Sequence, residues 1–74
     1  MSRLPNITAK VMARALKRDG FVEHHQKGSH LYFRHAEKRL MTGVPMHPGD
    51  LRRSLMKEII KQAGLSEAEF SKLL

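Results

Sequence analysis

The sequence contains no cysteine, and only 74 residues are available to form a core. The missing cysteines exclude a disulfide framework and a zinc site built on thiolates. A chain of this length supports one thin core with a margin of only a few kcal/mol. We therefore expect residues 1–74 to form a single domain that uses every apolar stripe it has. The lack of cysteine is also compatible with a cytoplasmic location.

Long apolar runs are missing as well. No run approaches the roughly 20 residues that a membrane-spanning helix requires. The first residues, Met1 to Asn6, contain no apolar segment of the kind found in secretory signals. We expect a cytoplasmic protein that makes no contact with a membrane.

Acidic residues are scarce, since seven stand against 14 basic residues and give a net charge of +7. The imbalance is concentrated in residues 1–49, which hold nine basic and three acidic side chains, whereas residues 50–74 hold five and four. A positive field of this size attracts polyanions, nucleic acid first, or an acidic protein. Net charge that serves only solubility is the alternative.

Two segments have the apolar spacing of amphipathic helices. The first runs from Thr8, a plausible N-cap, to Gly20, which ends it. The second lies between Asp50 and Ala63, with either Asp50 or Ser54 as its cap. The residues expected in its buried stripe are Leu51, Leu55, Met56, Ile59 and Ile60. A capping box at 66–69 predicts a short third helix.

Three segments alternate as strands do: 21–27, 30–35 and 40–45. In the middle one, Leu31 and Phe33 should face the helices, and the alternate side chains should share the opposite face. In the last one, Gly43 weakens the strand and Pro45 marks its end. The expected fold class is α+β, in the order α-β-β-β-α with a short extra C-terminal helix. Two helices then cover one face of a three-stranded antiparallel sheet, as in double-stranded-RNA-binding domains.

The turn between the first two strands contains Gly28 and Ser29 and leads directly into His30. Glycine tolerates the positive φ that a tight turn needs, and serine can hydrogen-bond the local backbone. A histidine on a rigid strand end is suited to proton transfer near neutral pH. On spacing alone, a structural or merely exposed histidine is the commoner case.

The other histidines are expected to be structural or exposed, with His47, beside Pro48 and Gly49, as a possible second proton shuttle. His24 and His25 should point to opposite faces of a strand, which argues against a shared metal ion. The sequence predicts no metal site and no cofactor.

Five short motifs follow one another along the chain: Asp19-Gly20-Phe21, Gln26-Lys27-Gly28-Ser29-His30, Phe33-Arg34-His35, Val44-Pro45-Met46-His47 and Lys61-Gln62-Ala63-Gly64-Leu65. Taken together and in this order, they resemble the HicA family, the toxins of HicA–HicB toxin–antitoxin modules. The resemblance covers nearly the whole chain, from about Ile7 to Leu65, and the chain differs from the usual family pattern near Arg53 and at Gly43.

The resemblance implies a metal-independent endoribonuclease that cleaves mRNA, halts translation and is neutralised by a HicB-type antitoxin. It assigns catalysis to His30, as general base or general acid. RNA-binding residues are expected around it: Lys27, Gly28, Ser29, Tyr32, Arg34 and His47. Two other interpretations stay open, a non-catalytic RNA-binding module and an interaction domain for an acidic partner.

Overall fold

The computed structural model of the protein describes residues 4–74. Residues 1–3, which belong to the N-terminal segment considered above, lie outside the described residues. The described chain forms, in order, α1 (Ala9–Asp19), β1 (Val22–Lys27), β2 (His30–His35), β3 (Leu40–Pro45), α2 (Arg53–Gln62) and α3 (Glu67–Ser71). This order confirms the expected α+β fold with a short extra helix.

The three strands form one antiparallel sheet in the order β1-β2-β3. Phe33 of β2 and Val44 of β3 are fully buried on the face that the helices cover. His30 and Arg34 are exposed on the other face, which we call the open face. The predicted alternation of β2 is therefore confirmed, and Pro45 ends β3 as expected.

The core lies between the helices and the covered face of the sheet. α1 contributes Met12 and Leu16, and α2 contributes Met56 and Ile59. The largest fully buried side chains also include three phenylalanines: Phe21, Phe33 and Phe70. By contrast, every residue of β1 is exposed, so the hairpin formed by β1 and β2 extends beyond the core.

The ends of α1 and the end of α2 follow the sequence signals. The Thr8 side chain accepts from the Val11 N–H, and Gly20, with φ 110°, ends α1. After α2, Gly64 has φ 71° and the Leu65 N–H donates to the Ile60 carbonyl at 3.1 Å. This is a Schellman arrangement, in which glycine takes the left-handed conformation just past the end of the helix.

The expected cap of α2 is wrong. The helix begins at Arg53, and its N-cap is Arg52, whose side chain makes no capping hydrogen bond. Asp50 instead forms an isolated antiparallel bridge with Thr8. Leu51 is buried as expected, but it precedes the helix and donates its N–H to the Ile7 carbonyl at 2.8 Å. These two contacts hold Asp50 and Leu51 in an extended conformation, so α2 cannot begin at Asp50.

Lys38, in the turn between β2 and β3, joins the carboxyl ends of the two main helices. Its Nζ lies 2.6 Å from Asp19 Oδ2 at the end of α1 and 3.1 Å from the Ala63 carbonyl at the end of α2. It also lies 5.7 Å from the centre of the Phe21 ring. A cation at a helix carboxyl end is favourable, and here one cation serves two ends.

Replacing Lys38 by methionine is expected to lower the free energy of unfolding by about 2 kcal/mol, because two hydrogen bonds from a charged donor are lost. Urea unfolding followed by circular dichroism measures this. The control is Lys57→Met on the exposed side of α2, for which a change within about 0.5 kcal/mol is expected. Equal losses from both variants would contradict the role of Lys38.

The short helix α3 begins with a complete capping box. The Ser66 N–H donates to Glu69 Oε1 at 2.8 Å, and the Glu69 N–H donates to the Ser66 hydroxyl at 3.0 Å. Hydrogen bonding to the backbone of Ser66, then to its side chain, holds the pKa of Glu69 below its usual range, with smaller effects from Lys38 and Lys72. The ionised form of Glu69 therefore contributes to the stability of this end of the chain.

A lowered folded-state pKa gives a stabilisation that is fully present above the unfolded value, about 4.3, and is lost as the pH falls through the folded value. Glu69→Gln keeps the size of the side chain and removes the charge. We expect wild type to unfold at a higher temperature than the variant at neutral pH, and the gap to narrow in acid. Thermal unfolding of both proteins across the acid range checks this; a gap that does not change with pH would disprove it.

Candidate active site

The β1–β2 turn places His30 at the start of β2. Gly28 has φ 59°, and Ser29 lies outside the left-handed region. Glycine at the first central position of a two-residue loop is the requirement of a type II′ turn, which matches the twist of the flanking strands. The Gln26 side-chain amide donates to the Gly28 carbonyl at 3.1 Å. The backbone N–H groups of Gly28 and Ser29 have no acceptor within residues 4–74.

Ser29 connects this turn to the loop between β3 and α2. Its carbonyl accepts from the Met46 N–H at 2.7 Å, and its hydroxyl lies 3.4 Å from His47 Nε2. Sequence reasoning gave Ser29 a role in holding its own turn. The structure adds that Ser29 contacts His47, so the two loops meet.

His30 and His47 line one cleft of ≈ 370 Å³ at this junction. Both imidazoles are exposed, as is Arg52, which lines the same cleft from the residue before α2. The remaining cleft residues are Pro45, Pro48, Gly49, Asp50, Leu51 and Leu55. Two imidazoles, the Arg52 cation and the Asp50 carboxylate therefore face the same space.

Arg52 was missed by the sequence reasoning. The second helix was expected between Asp50 and Ala63, with Asp50 or Ser54 as its cap, and Arg52, one of several basic residues in that segment, carries no distinguishing signal. The structure places Arg52 at the N-cap position, where its side chain makes no capping hydrogen bond. The positive end of that helix adds to the charge of the cleft.

Tyr32 stands in the middle of a row of aromatic rings on the open face. Its ring stacks on His25 with centroids 4.7 Å apart and planes at 14°, and it lies 6.0 Å from the His30 ring at 29°. On its other side Tyr32 pairs with Gly43, where an added Cβ would lie 2.8 Å from Tyr32 Cε1. Gly43, expected only to weaken β3, thus leaves the space that the tyrosine ring occupies.

His24 and His25 do not lie on opposite faces, so that expectation is wrong. A bulge between Glu23 and His25 adds one residue to β1, and His25 pairs with Tyr32. The two histidine rings meet edge to face with centroids 5.1 Å apart. A bulge breaks the strict alternation of a strand, which is why the period-2 argument failed here.

Lys27 and Arg34 are the cations of the open face. Lys27 pairs with His30 across the hairpin and Arg34 follows two residues after Tyr32; both are exposed, and neither has an ion-pair partner within the described chain. Two cations of α1 differ from them. Lys17 pairs with Glu23 at 2.6 Å, and Arg18 donates to the Leu73 carbonyl at 2.8 Å.

His35 is a structural residue. It is only 8% exposed, its Nε2 lies 3.0 Å from the Asp19 carbonyl, and the Lys38 N–H donates to its Nδ1 at 3.2 Å. This pattern gives the neutral tautomer with the proton on Nε2. Its ring also packs edge-on against Phe21, at 5.0 Å between centroids. Both ring nitrogens are satisfied, which removes His35 from the candidates for catalysis.

Within residues 4–74, no three histidine, aspartate or glutamate side chains cluster closely enough to hold a metal ion. Nor does that range contain a helix with the length and apolar character needed to cross a membrane.

The chain matches a known protein family. A family model described as "HicA toxin of bacterial toxin-antitoxin" matches residues 9–65. The match spans α1, the whole sheet and α2, and it includes His30, His47 and Arg52. No curated protein matches the chain at a significant level.

The contact between Tyr32 and Gly43 can be tested through the stability of the protein. Replacing a glycine by alanine raises the free energy of unfolding by about 0.5–1 kcal/mol where the backbone permits it, because the unfolded chain has less conformational freedom. With Tyr32 in place, the added Cβ must displace the ring, and we expect this gain to be lost. In a Tyr32→Ala background, Gly43→Ala should stabilise the protein.

A double-mutant cycle measured by urea unfolding gives the coupling between the two positions, expected to be about 1 kcal/mol. Ring-proton chemical shifts of His25 and His30 should also move in Gly43→Ala, because both rings pack near Tyr32. Additive free energies together with unmoved shifts would show that the close approach has no consequence.

Proposed function

Because the chain belongs to the HicA toxin family and is a toxin of a toxin–antitoxin system, we propose that it is an endoribonuclease that cleaves mRNA. It acts in the cytoplasm, stops translation, and is neutralised by a HicB-type antitoxin. One observation carries the proposal: His30 and His47, from separate parts of the chain, line the same exposed cleft together with Arg52.

The chemistry that this cleft supports is cleavage by the RNA's own 2′-hydroxyl. The protein then needs a base for the hydroxyl proton and an acid for the leaving 5′-oxygen. His30 takes one of these roles, and His47 is the candidate for the other. A positioned general acid or base contributes about 10²–10⁴ to the rate. This scheme uses no metal ion and no cofactor.

Cations on both sides of His30 can balance the negative charge of the phosphate. Lys27 and Arg34 lie on the open face, and Arg52 lies in the cleft. The free N–H groups of Gly28 and Ser29 add donors that need no side-chain reorganisation. Tyr32 offers a ring on which a base can stack.

An acidic antitoxin is the partner that this surface fits. The strand positions on the open face include two cations and no carboxylate: Val22, His24, His25, Lys27, His30, Tyr32, Arg34, Met41, Gly43 and Pro45. Opposite charge accelerates association and excludes like-charged partners. A protein that covers this face blocks His30 without touching the core.

The role of His30 is tested by His30→Ala. Cleavage of single-stranded RNA should fall by about 10²–10⁴ with little change in the unfolding midpoint, because an exposed imidazole is removed. Induced expression should stop growth with wild type and permit it with the variant. Cleavage should persist in excess EDTA, and RNA with 2′-deoxyribose at the cleaved position should be resistant.

RNA cleavage by the His47→Ala variant is also expected to be slower than by wild type. The Arg14→Ala variant, changed on the exposed side of α1, should cleave RNA at the wild-type rate. RNA left intact by folded wild type over long incubation would instead favour a non-catalytic RNA-binding module. Full activity of folded His30→Ala would remove His30 from the reaction.

A further inference from the structure

We propose that His25, together with His24, forms a base-stacking subsite for single-stranded RNA next to the catalytic cleft. The site continues through Tyr32 to His30, so that a nucleotide flanking the scissile phosphate lies on these rings. The location beside a scissile phosphate depends on the ribonuclease proposed above, but RNA binding at the rings does not.

The rings are already aligned in the free protein. His25 and Tyr32 are nearly parallel at 14° with centroids 4.7 Å apart, and the next ring, His30, follows at 6.0 Å and 29°. His24 meets His25 edge-on at 77°. Parallel rings at this separation have the geometry in which bases and aromatic side chains stack.

Two features of the backbone create this row, and neither serves the core. The bulge in β1 brings His24 beside His25, although all six residues of that strand are exposed. Gly43 on the opposite side of Tyr32 leaves room for the ring to lie across β3. The row therefore consists of three exposed histidines and the half-buried Tyr32, and it extends across β1 and β2.

The charges around the row favour RNA as its occupant. Lys27 lies two residues after His25 on the same face, and Arg34 lies two residues after Tyr32. Both cations are exposed and unpaired within the described residues. A groove that combines cations for the backbone with rings for the bases is typical of proteins that bind single strands. Duplex RNA hides its base faces inside the helix and gains nothing from such rings.

The experiment uses the full chain and an RNA that cannot be cleaved. A fluorescein-labelled single strand of about 12 nucleotides with 2′-O-methyl groups throughout lacks the attacking hydroxyl and keeps every base. Fluorescence anisotropy then measures its dissociation constant for wild type, His25→Ala, His25→Phe, Lys27→Ala and Arg14→Ala. Thermal unfolding confirms that each variant is folded.

We expect His25→Ala to weaken binding on the order of tenfold, since one stacking partner is lost. His25→Phe, which keeps a flat ring, should stay within about twofold of wild type. Lys27→Ala should weaken binding and lower the salt slope by about 0.7, the value for one phosphate contact on a single strand. Arg14→Ala, on the exposed side of α1, should change neither.

Several results would overturn the subsite: unchanged affinity in His25→Ala, an equal loss in His25→Phe, equal effects of His25→Ala on duplex RNA, or no binding by wild type. Loss of antitoxin binding in His25→Ala with RNA binding intact would assign the rings to a protein interface instead. The two proposals can be rejected independently of each other. If the variants bind RNA as expected but wild type does not cleave ordinary RNA, only the ribonuclease proposal is rejected. If wild type cleaves RNA but the affinity does not depend on His25, only the subsite is rejected.

Discussion

The register of β2 is the constraint on which the rest of the molecule depends. Among the described strands, β2 alone pairs on both edges, with Tyr32 opposite His25 on one side and Gly43 on the other. A slip of one residue would exchange the two faces of the strand. Phe33 would leave the core, and His30 would enter it. Packing of the core and display of the site are therefore fixed by the same hydrogen bonds.

The cleft depends on a second, longer-range contact. His30 is placed by its own turn, whereas His47 follows the end of β3, and the two meet because Ser29 contacts the β3–α2 loop through both its carbonyl and its hydroxyl. The Gly-Ser-His motif thus has a separate task for each residue. Glycine makes the turn possible, serine joins the two loops, and histidine lines the cleft. Spacing in the sequence shows only the first of these tasks.

The sequence was sufficient for the element order, the faces of β2 and most helix ends, because those follow from periodicity and from local capping residues such as Thr8 and Gly64. It was insufficient where tertiary contacts decided the outcome. The start of α2 was displaced by the bridge between Thr8 and Asp50, which lie far apart in the chain. The bulge at His24 and the proximity of Arg52 to His30 likewise have no local signature. The family match includes His30 and the other residues of the cleft, but it assigns no role to any of them.

The covered face of the sheet builds the core and the open face displays the candidate site, which explains how so small a chain can present both. The large buried side chains lie in the helices, on the covered face of the sheet, in the segments that join them or in the segment before α1, while β1 buries nothing. The hairpin end is therefore held by strand pairing and by the contacts of Tyr32, outside the core. Charged and aromatic residues can occupy the hairpin end at little cost in folding stability. The geometry of the hairpin end depends on two glycines. Gly28 supplies the backbone conformation of the turn, and Gly43 leaves the space that the Tyr32 ring occupies. A site of this kind is precise only as long as the pairing of β2 with both neighbours is intact.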